Sequence, residues 1–314
     1  MEDAVTGKMI DGLLPAGHDV KFSEIEAAFA RLAHDRRRRR APARALIATV
    51  IVVGPPEQLI PAAEAIEHIG DVGVRAILIS EGNQTEPVAR VTDNAVAVSG
   101  LAPGYLNNAV AALRLSSLPA AVWWRGGSTA AFADIAELAD RLIMDIDQPD
   151  DLWSAAVRLF DRTALTDLRW TALTRWRAAL AHLFDLPNVR RSAARLKTVM
   201  INAADGPSGR LFAGWLRSSL PWPSGATISI RVTHTQHASP LECVTLECDG
   251  PPITLKMREG RACFEATAGN SSESGRIVPT EEMSLSSLIG EELGVRTRDL
   301  AFERALIAAR EIRA

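Results

Sequence analysis

Cysteine is scarce in this 314-residue chain, and the three present, Cys243, Cys248 and Cys263, all lie in its last third. Cys243 and Cys248 are five positions apart, so on one strand they face opposite sides and cannot pair. No C-x-x-C occurs, and no His or Cys sits beside them at zinc-ligand spacing, which excludes the common structural-zinc and redox motifs. Reduced, mostly buried thiols are expected. Long hydrophobic runs are missing too. The longest, Ala45 to Gly54, is far short of the roughly 20 residues a membrane helix needs. The first residues hold no apolar core of the signal-peptide kind, so a cytoplasmic protein is expected. Neither sign of charge dominates: a net charge of −3 offers no general attraction to nucleic acid. Tyrosine occurs once, against seven tryptophans.

What the chain does have is an ordinary globular balance, 47% hydrophobic and 23% charged, and enough length for two cores. Residues 1–20 carry Gly, Pro and mixed charge without a period and read as a flexible arm. Ser23 and Glu26 have the spacing of a capping box and open a helix with the stripe Ile25, Phe29, Leu32. That helix runs into Arg36–Arg40, which reads as a solvated helix end rather than a nucleic-acid patch. Strands at Ala45–Val53, Val74–Ser80, Pro119–Trp124 and Arg141–Ile146 then alternate with helices at Glu57–Ile69, Gly104–Leu115 and Thr129–Ala139. A hairpin over Val88–Val98 turns at Asp93-Asn94. This alternation predicts a Rossmann-like α/β domain with a mostly parallel, layered sheet over 21–148.

Residues 149–314 read as a helical connection followed by an α+β C-terminal domain. A helix over Asp151–Arg162, a strand over Lys197–Ala203 and a helix over Leu211–Leu220 lead into an antiparallel meander. Its strands are Thr227–Thr235, Leu241–Asp249, Ile253–Arg258 and Arg261–Ala268, each bounded by Gly, Pro or Ser. Helices over Ser284–Leu293 and Arg298–Ile312 close the chain.

All seven tryptophans fall between Trp123 and Trp222, so the middle of the chain has unusual packing. Its densest stretch is Asp167 to Asp185, DLRWTALTRWRAALAHLFD. At about 100° per residue, Trp170, Leu173, Trp176, Leu180 and Phe184 share an arc of roughly 120°, and Arg177 falls inside it. A cation there needs a carboxylate or carbonyl partner, or an interface. The stretch is either a core helix with Arg177 snorkelling at the stripe's edge, or a helix that meets another protein through its Trp and Arg residues.

Chemistry has one candidate loop, Arg125-Gly126-Gly127-Ser128. It joins a buried strand to a helix, at the end of a parallel sheet where ligands bind, and its glycines, helix N-terminus and arginine could hold an anion. Neither G-x-G-x-x-G nor G-x-x-x-x-G-K-[ST] is present, and a tight turn with Ser128 as N-cap explains the same residues. Trp123 and Trp124 just before it face opposite sides of their strand. Asp145 and Asp147 read as caps of the turn into Pro149 more than as a catalytic carboxylate pair. The six histidines are scattered. Only His234 and His237, with Gln236, cluster at a strand end, and no metal site is expected there. With no acid, base and nucleophile set, and no cofactor motif, the chain reads as a binding protein.

Three blocks, LPAAVWWRG (Leu118–Gly126), DLRWTALTRWRAALAHLFD (Asp167–Asp185) and LFAGWLRSSLPW (Leu211–Trp222), resemble in order and spacing the OpcA family of glucose-6-phosphate dehydrogenase assembly proteins. The resemblance implies a non-enzymatic subunit without a cofactor. Such a subunit would bind glucose-6-phosphate dehydrogenase, promote its active oligomer and raise its affinity for glucose 6-phosphate. Candidate partner contacts under that reading are Trp123, Trp124 and Arg125 from the first block, and Trp170, Trp176 and Arg177 from the second. The alternative is an α/β protein acting on a phosphorylated sugar through Arg125, Gly126, Gly127 and Ser128.

Overall fold

A computed structural model describes residues 12–38, 45–69, 73–82, 87–233, 239–250, 252–257, 263–268, 276–279 and 283–313. They fall into two compact units, Met1–Thr166 with Leu285–Arg298, and Asp167–Ser284 with Asp299–Ala314. The chain therefore leaves the first unit after Thr166 and returns to it for a single helix near the C-terminus. A boundary drawn on sequence at residue 148 does not anticipate that return.

The first unit contains, in order, β1 (His18–Lys21), α1 (Ile25–Arg38), β2 (Leu46–Val53), α2 (Pro56–Glu67), β3 (Gly73–Glu81), β4 (Val88–Val91) and β5 (Ala95–Leu101). There follow α3 (Leu106–Leu113), β6 (Ala120–Trp124), α4 (Thr129–Ala136), β7 (Arg141–Met144), α5 (Asp150–Val157) and β8 (Ala164–Asp167). The described strands form one sheet in the order β1-β4-β5-β3-β2-β6-β7-β8. From β5 to β7 all neighbours are parallel. Within that parallel core the chain starts at β2, adds β3 and β5 on one side, then β6 and β7 on the other. This is the doubly wound arrangement, and its direction reverses between β2 and β6. Val50, Ile51, Val52 and Val53 are all at 0% exposure, as a strand covered on both faces requires.

Three local features depart from the sequence pattern. Residues 12–20 are not a loose arm: β1 pairs antiparallel with β4, and Leu13 and Leu14 are buried. Glu26 does not close a capping box but accepts from Arg75 Nη2 at 2.7 Å, while Arg75 stacks over Phe29 at 3.9 Å. A buried guanidinium needs that carboxylate more than a helix end does. The sheet also continues past β7 to β8, a strand of four residues that is too short to register as an alternating pattern. The Leu285–Gly294 helix is fastened to this unit by a buried ion pair, Arg141 donating through Nε and Nη2 to Glu292 Oε2.

The second unit opens with α6 (Leu168–Ala172), α7 (Thr174–Phe184) and α8 (Pro187–Ala193). Asp167–Asp185 is thus two helices, not one. The Trp170 carbonyl accepts from Thr174 Oγ1 at 3.5 Å and from Arg177 Nη2 at 3.1 Å, so side chains take the acceptor that would have continued the helix. Next come β9 (Leu196–Ala203), α9 (Gly206–Ser219), β10 (Thr227–Val232), β11 (Leu241–Cys248), β12 (Ile253–Met257), β13 (Cys263–Ala268) and β14 (Arg276–Pro279). With α10 being the Leu285–Gly294 helix of the first unit, α11 (Leu300–Ala309) completes the second.

The second sheet runs β10-β9-β11-β12-β13-β14 and is mixed. β10, expected as the first strand of the meander, instead lies parallel to β9 after a crossover through α9. The meander is β11 to β14. Along β9, Leu196, Val199, Ile201 and Ala203 are buried, whereas Lys197 and Met200 are exposed, so one face of the sheet carries the core. Helices α9 and α11 pack closely at Gly214, where a Cβ would collide with the Ala305 carbonyl.

Candidate functional site

Ligands of doubly wound sheets bind outside the carboxyl ends of the strands where the winding reverses. Here two loops meet at that point, Gly54-Pro55 after β2 and Arg125 to Ser128 after β6. They are pressed against each other. A Cβ on Gly126 would stand 2.6 Å from Pro55 Cδ, and one on Gly54 3.0 Å from Arg125 Cβ. The Arg125 N–H donates to the Val53 carbonyl at 2.7 Å. Gly127 has φ +124°, and a Cβ there would come within 2.8 Å of the Trp124 ring, so the turn admits only glycine. Ser128 caps α4, its Oγ accepting from Ala131 N at 3.1 Å.

Arg125 is enclosed, its side chain 10% exposed, with Nε 3.1 Å from Asp145 Oδ2. Its guanidinium lies 4.8 Å from the Trp123 ring centroid, and Trp123 Nε1 donates to the same Asp145 oxygen at 3.0 Å. The Arg125–Asp145 contact is charge pairing without hydrogen-bond alignment, because Arg125 Nε and Nη1 have no hydrogen-bond partner. Burial lowers the pKa of the Arg125 guanidinium, and Asp145 and Asp147 oppose the shift. Asp145 therefore serves Trp123 and Arg125 and does not cap the turn at Pro149; α5 has no side-chain cap. With two carboxylates beside one guanidinium, the loop has no surplus positive charge for a free anion.

Sequence reasoning passed over Glu81 at the end of β3. Its Oε1 is buried without a hydrogen-bond partner, as is Trp124 Nε1, and both side chains crowd Gly127. Burial raises the Glu81 pKa. The terminal position on a strand facing the switch point was the signal that could have singled it out.

The second group of expected site residues lies in the other unit and is built into its core. Trp170 is 2% exposed; its Nε1 donates to Asp299 Oδ2 at 2.7 Å, and its ring packs on Phe302 at 5.7 Å. Asp299 in turn caps α11 through the N–H groups of Ala301 and Phe302. Trp176, also 2% exposed, donates to Ser239 Oγ at 3.1 Å. Arg177 stacks over Trp170 with its guanidinium carbon 3.3 Å from the ring centroid. Trp123 and Trp124 are at 0% exposure. The four tryptophans expected at a partner surface are thus core residues, and a docking protein could reach them only by unpacking the fold. Arg125 and Arg177 keep some exposure.

Cys243 and Cys248 are both free thiols, half-buried and buried respectively, and burial pushes both thiol pKa values up. His234, Gln236 and His237 lie outside the described residues, as do Arg39 and Arg40. Among the described residues no group of three or more His, Cys, Asp or Glu is placed to hold a metal ion. No described helix is long and apolar enough to cross a membrane.

Fold and site together define a protein with a doubly wound α/β unit whose two switch-point loops pack against each other, joined to a mixed-sheet α+β unit. Residues 163–306 match the family model for the C-terminal domain of the glucose-6-phosphate dehydrogenase subunit, which supports an OpcA-family protein. No curated protein matches the chain. Among solved structures, an aldose-aldose oxidoreductase from Caulobacter crescentus complexed with glycerol is similar at TM-score 0.49 and 11% identity, over 85% of this chain and 98% of that one. So distant a likeness says nothing of function.

Proposed function

We propose that this chain is a non-catalytic subunit that binds glucose-6-phosphate dehydrogenase and promotes its assembly and activation. The observation that carries the reading is the match of residues 163–306 to a family described as a subunit of that enzyme. The non-catalytic part draws support from the switch point, where Pro55 fills the space beside Gly126 and Asp145 matches the charge of Arg125. A phosphorylated sugar acting as substrate at the Arg125–Ser128 loop is disfavoured by those same carboxylates.

Activation by a subunit has a simple physical requirement: it must bind the active form of the dehydrogenase better than the inactive one. A preference of about 1–3 kcal/mol changes apparent substrate affinity by roughly 5- to 150-fold. Size exclusion with light scattering on an equimolar mixture tests the association. A species heavier than either component supports the reading; two unaltered peaks at micromolar concentration contradict it.

A further inference from the structure

Helices α7 and α8 and the C-terminal half of α9 enclose a cavity of about 290 Å³ within the second unit. Its wall is largely apolar, with Phe184, Ala194, Trp215, Leu216 and Pro221, and one cation, Arg190. Trp215 is only half-buried and is held by Phe212 at 5.2 Å. A half-open tryptophan beside a cavity is the kind of anchor that dominates protein interfaces.

The surroundings are basic in a chain that is acidic overall. From Phe184 to Leu241 the sequence carries Arg190, Arg191, Arg195, Lys197, Arg210, Arg217 and Arg231 against two carboxylates, Asp185 and Asp205. Lys197 is paired with Asp249 and Arg217 with Glu311. Arg190 and Arg191, in contrast, each use Nε on a backbone carbonyl, those of Phe184 and Pro187, both at 3.2 Å. A carbonyl does not neutralise a guanidinium; Arg190 lines the groove, and Arg191 is exposed one residue further along α8.

We propose that this groove docks an acidic segment of the dehydrogenase, one bulky apolar side chain entering against Trp215 and Leu216 while carboxylates beside it meet Arg190 on the wall and exposed Arg191 next to it on α8. The assignment rests on the subunit reading given above. The apolar pocket supplies affinity and the arginines supply orientation and on-rate. The groove lies inside residues 163–306, the stretch matched to the dehydrogenase-subunit family.

The test measures Kd for the purified dehydrogenase with the full-length wild type, with Arg190→Glu/Arg191→Glu, and with Arg158→Glu, a reversal at an exposed arginine of the other unit. Unchanged melting temperature and circular dichroism certify that the variants fold. A benzophenone amino acid at exposed Ser219, on the groove's wall, maps the contact by photocrosslinking. The double reversal should weaken binding at least tenfold and Arg158→Glu less than twofold. The crosslinked peptide should carry a Phe, Trp or Leu next to Asp or Glu. Wild-type binding with an unaffected double reversal, equal loss in Arg158→Glu, or a crosslinked segment without acidic residues overturns the groove while leaving the subunit reading intact. Failure of the wild type to bind the dehydrogenase overturns that reading and the groove with it.

Discussion

Asp299 links two jobs in one carboxylate. Oδ1 accepts from Ala301 N and Phe302 N at the start of α11, and Oδ2 accepts from the buried Trp170 indole. Removing it exposes a helix end and orphans an indole N–H at once. Asp299→Ala should lower stability in urea unfolding by about 2–4 kcal/mol, the sum of a lost cap and a lost buried partner. Asp299→Asn, which retains the cap oxygen, should cost less. Glu81 behaves oppositely. Burial raises its pKa above the ordinary 4.5, so the folded state favours the neutral acid and ionisation at higher pH costs stability. Glu81→Gln should therefore raise the melting temperature at pH 7, and the gain should disappear as pH falls below about 4, where the wild-type acid is protonated in both states. The residue is partly exposed, so roughly half a kcal/mol is expected. Residue-scale features readable from sequence were local ones. Ser128 stands directly before its helix, and Arg177 reaches a carbonyl seven residues back. The Trp170–Asp299 bond spans 129 positions and leaves no trace in any spacing.

Among the elements, the Leu285–Gly294 helix depends most on one interaction. Arg141 and Glu292 are both about 5% exposed, and Arg141 donates through Nε and Nη2 to the one oxygen Glu292 Oε2. Glu292→Ala strands a buried guanidinium and should destabilise the first unit by about 3–5 kcal/mol. The apolar pair Arg141→Met/Glu292→Leu should recover most of that loss in the same denaturation assay. If the single variant unfolds like the wild type, the helix is held by its apolar face instead. Where elements were legible, hydrophobic period decided the matter: β2, β3, the β4–β5 hairpin and β6 lie close to where the pattern places them. Where the reading failed, a side chain or a neighbour overruled the period. Thr174 and Arg177 divide the tryptophan helix at Leu173. β9 inserts beside β10 and turns the expected start of a meander into a parallel pair, a choice made by the α9 crossover and not by strand composition.

On the scale of the whole molecule, the chain uses a doubly wound fold whose two switch-point loops pack on each other, with Asp145 paired to Arg125. Thermal-shift measurements with glucose 6-phosphate on the isolated protein should accordingly show no stabilisation, since a ligand bound at one hundred times its Kd would add about 2.7 kcal/mol. A clear upward shift abolished by Arg125→Ala would revive the sugar-phosphate reading. The proposed partner comes from three tryptophan-bearing blocks and from the family matched by residues 163–306, whereas no place of contact could be read from the sequence. Trp123, Trp124, Trp170 and Trp176 mark the scaffold, because a sequence cannot tell a tryptophan that packs inward from one that waits for a partner.

The most direct test is the KM of glucose-6-phosphate dehydrogenase for glucose 6-phosphate as this protein is titrated in. If the protein is an activating subunit, KM should fall at least fivefold and plateau at a fixed stoichiometric ratio, with no turnover by the added protein alone. A KM that stays constant through a several-fold molar excess, or dehydrogenase activity in the added protein by itself, would contradict that role.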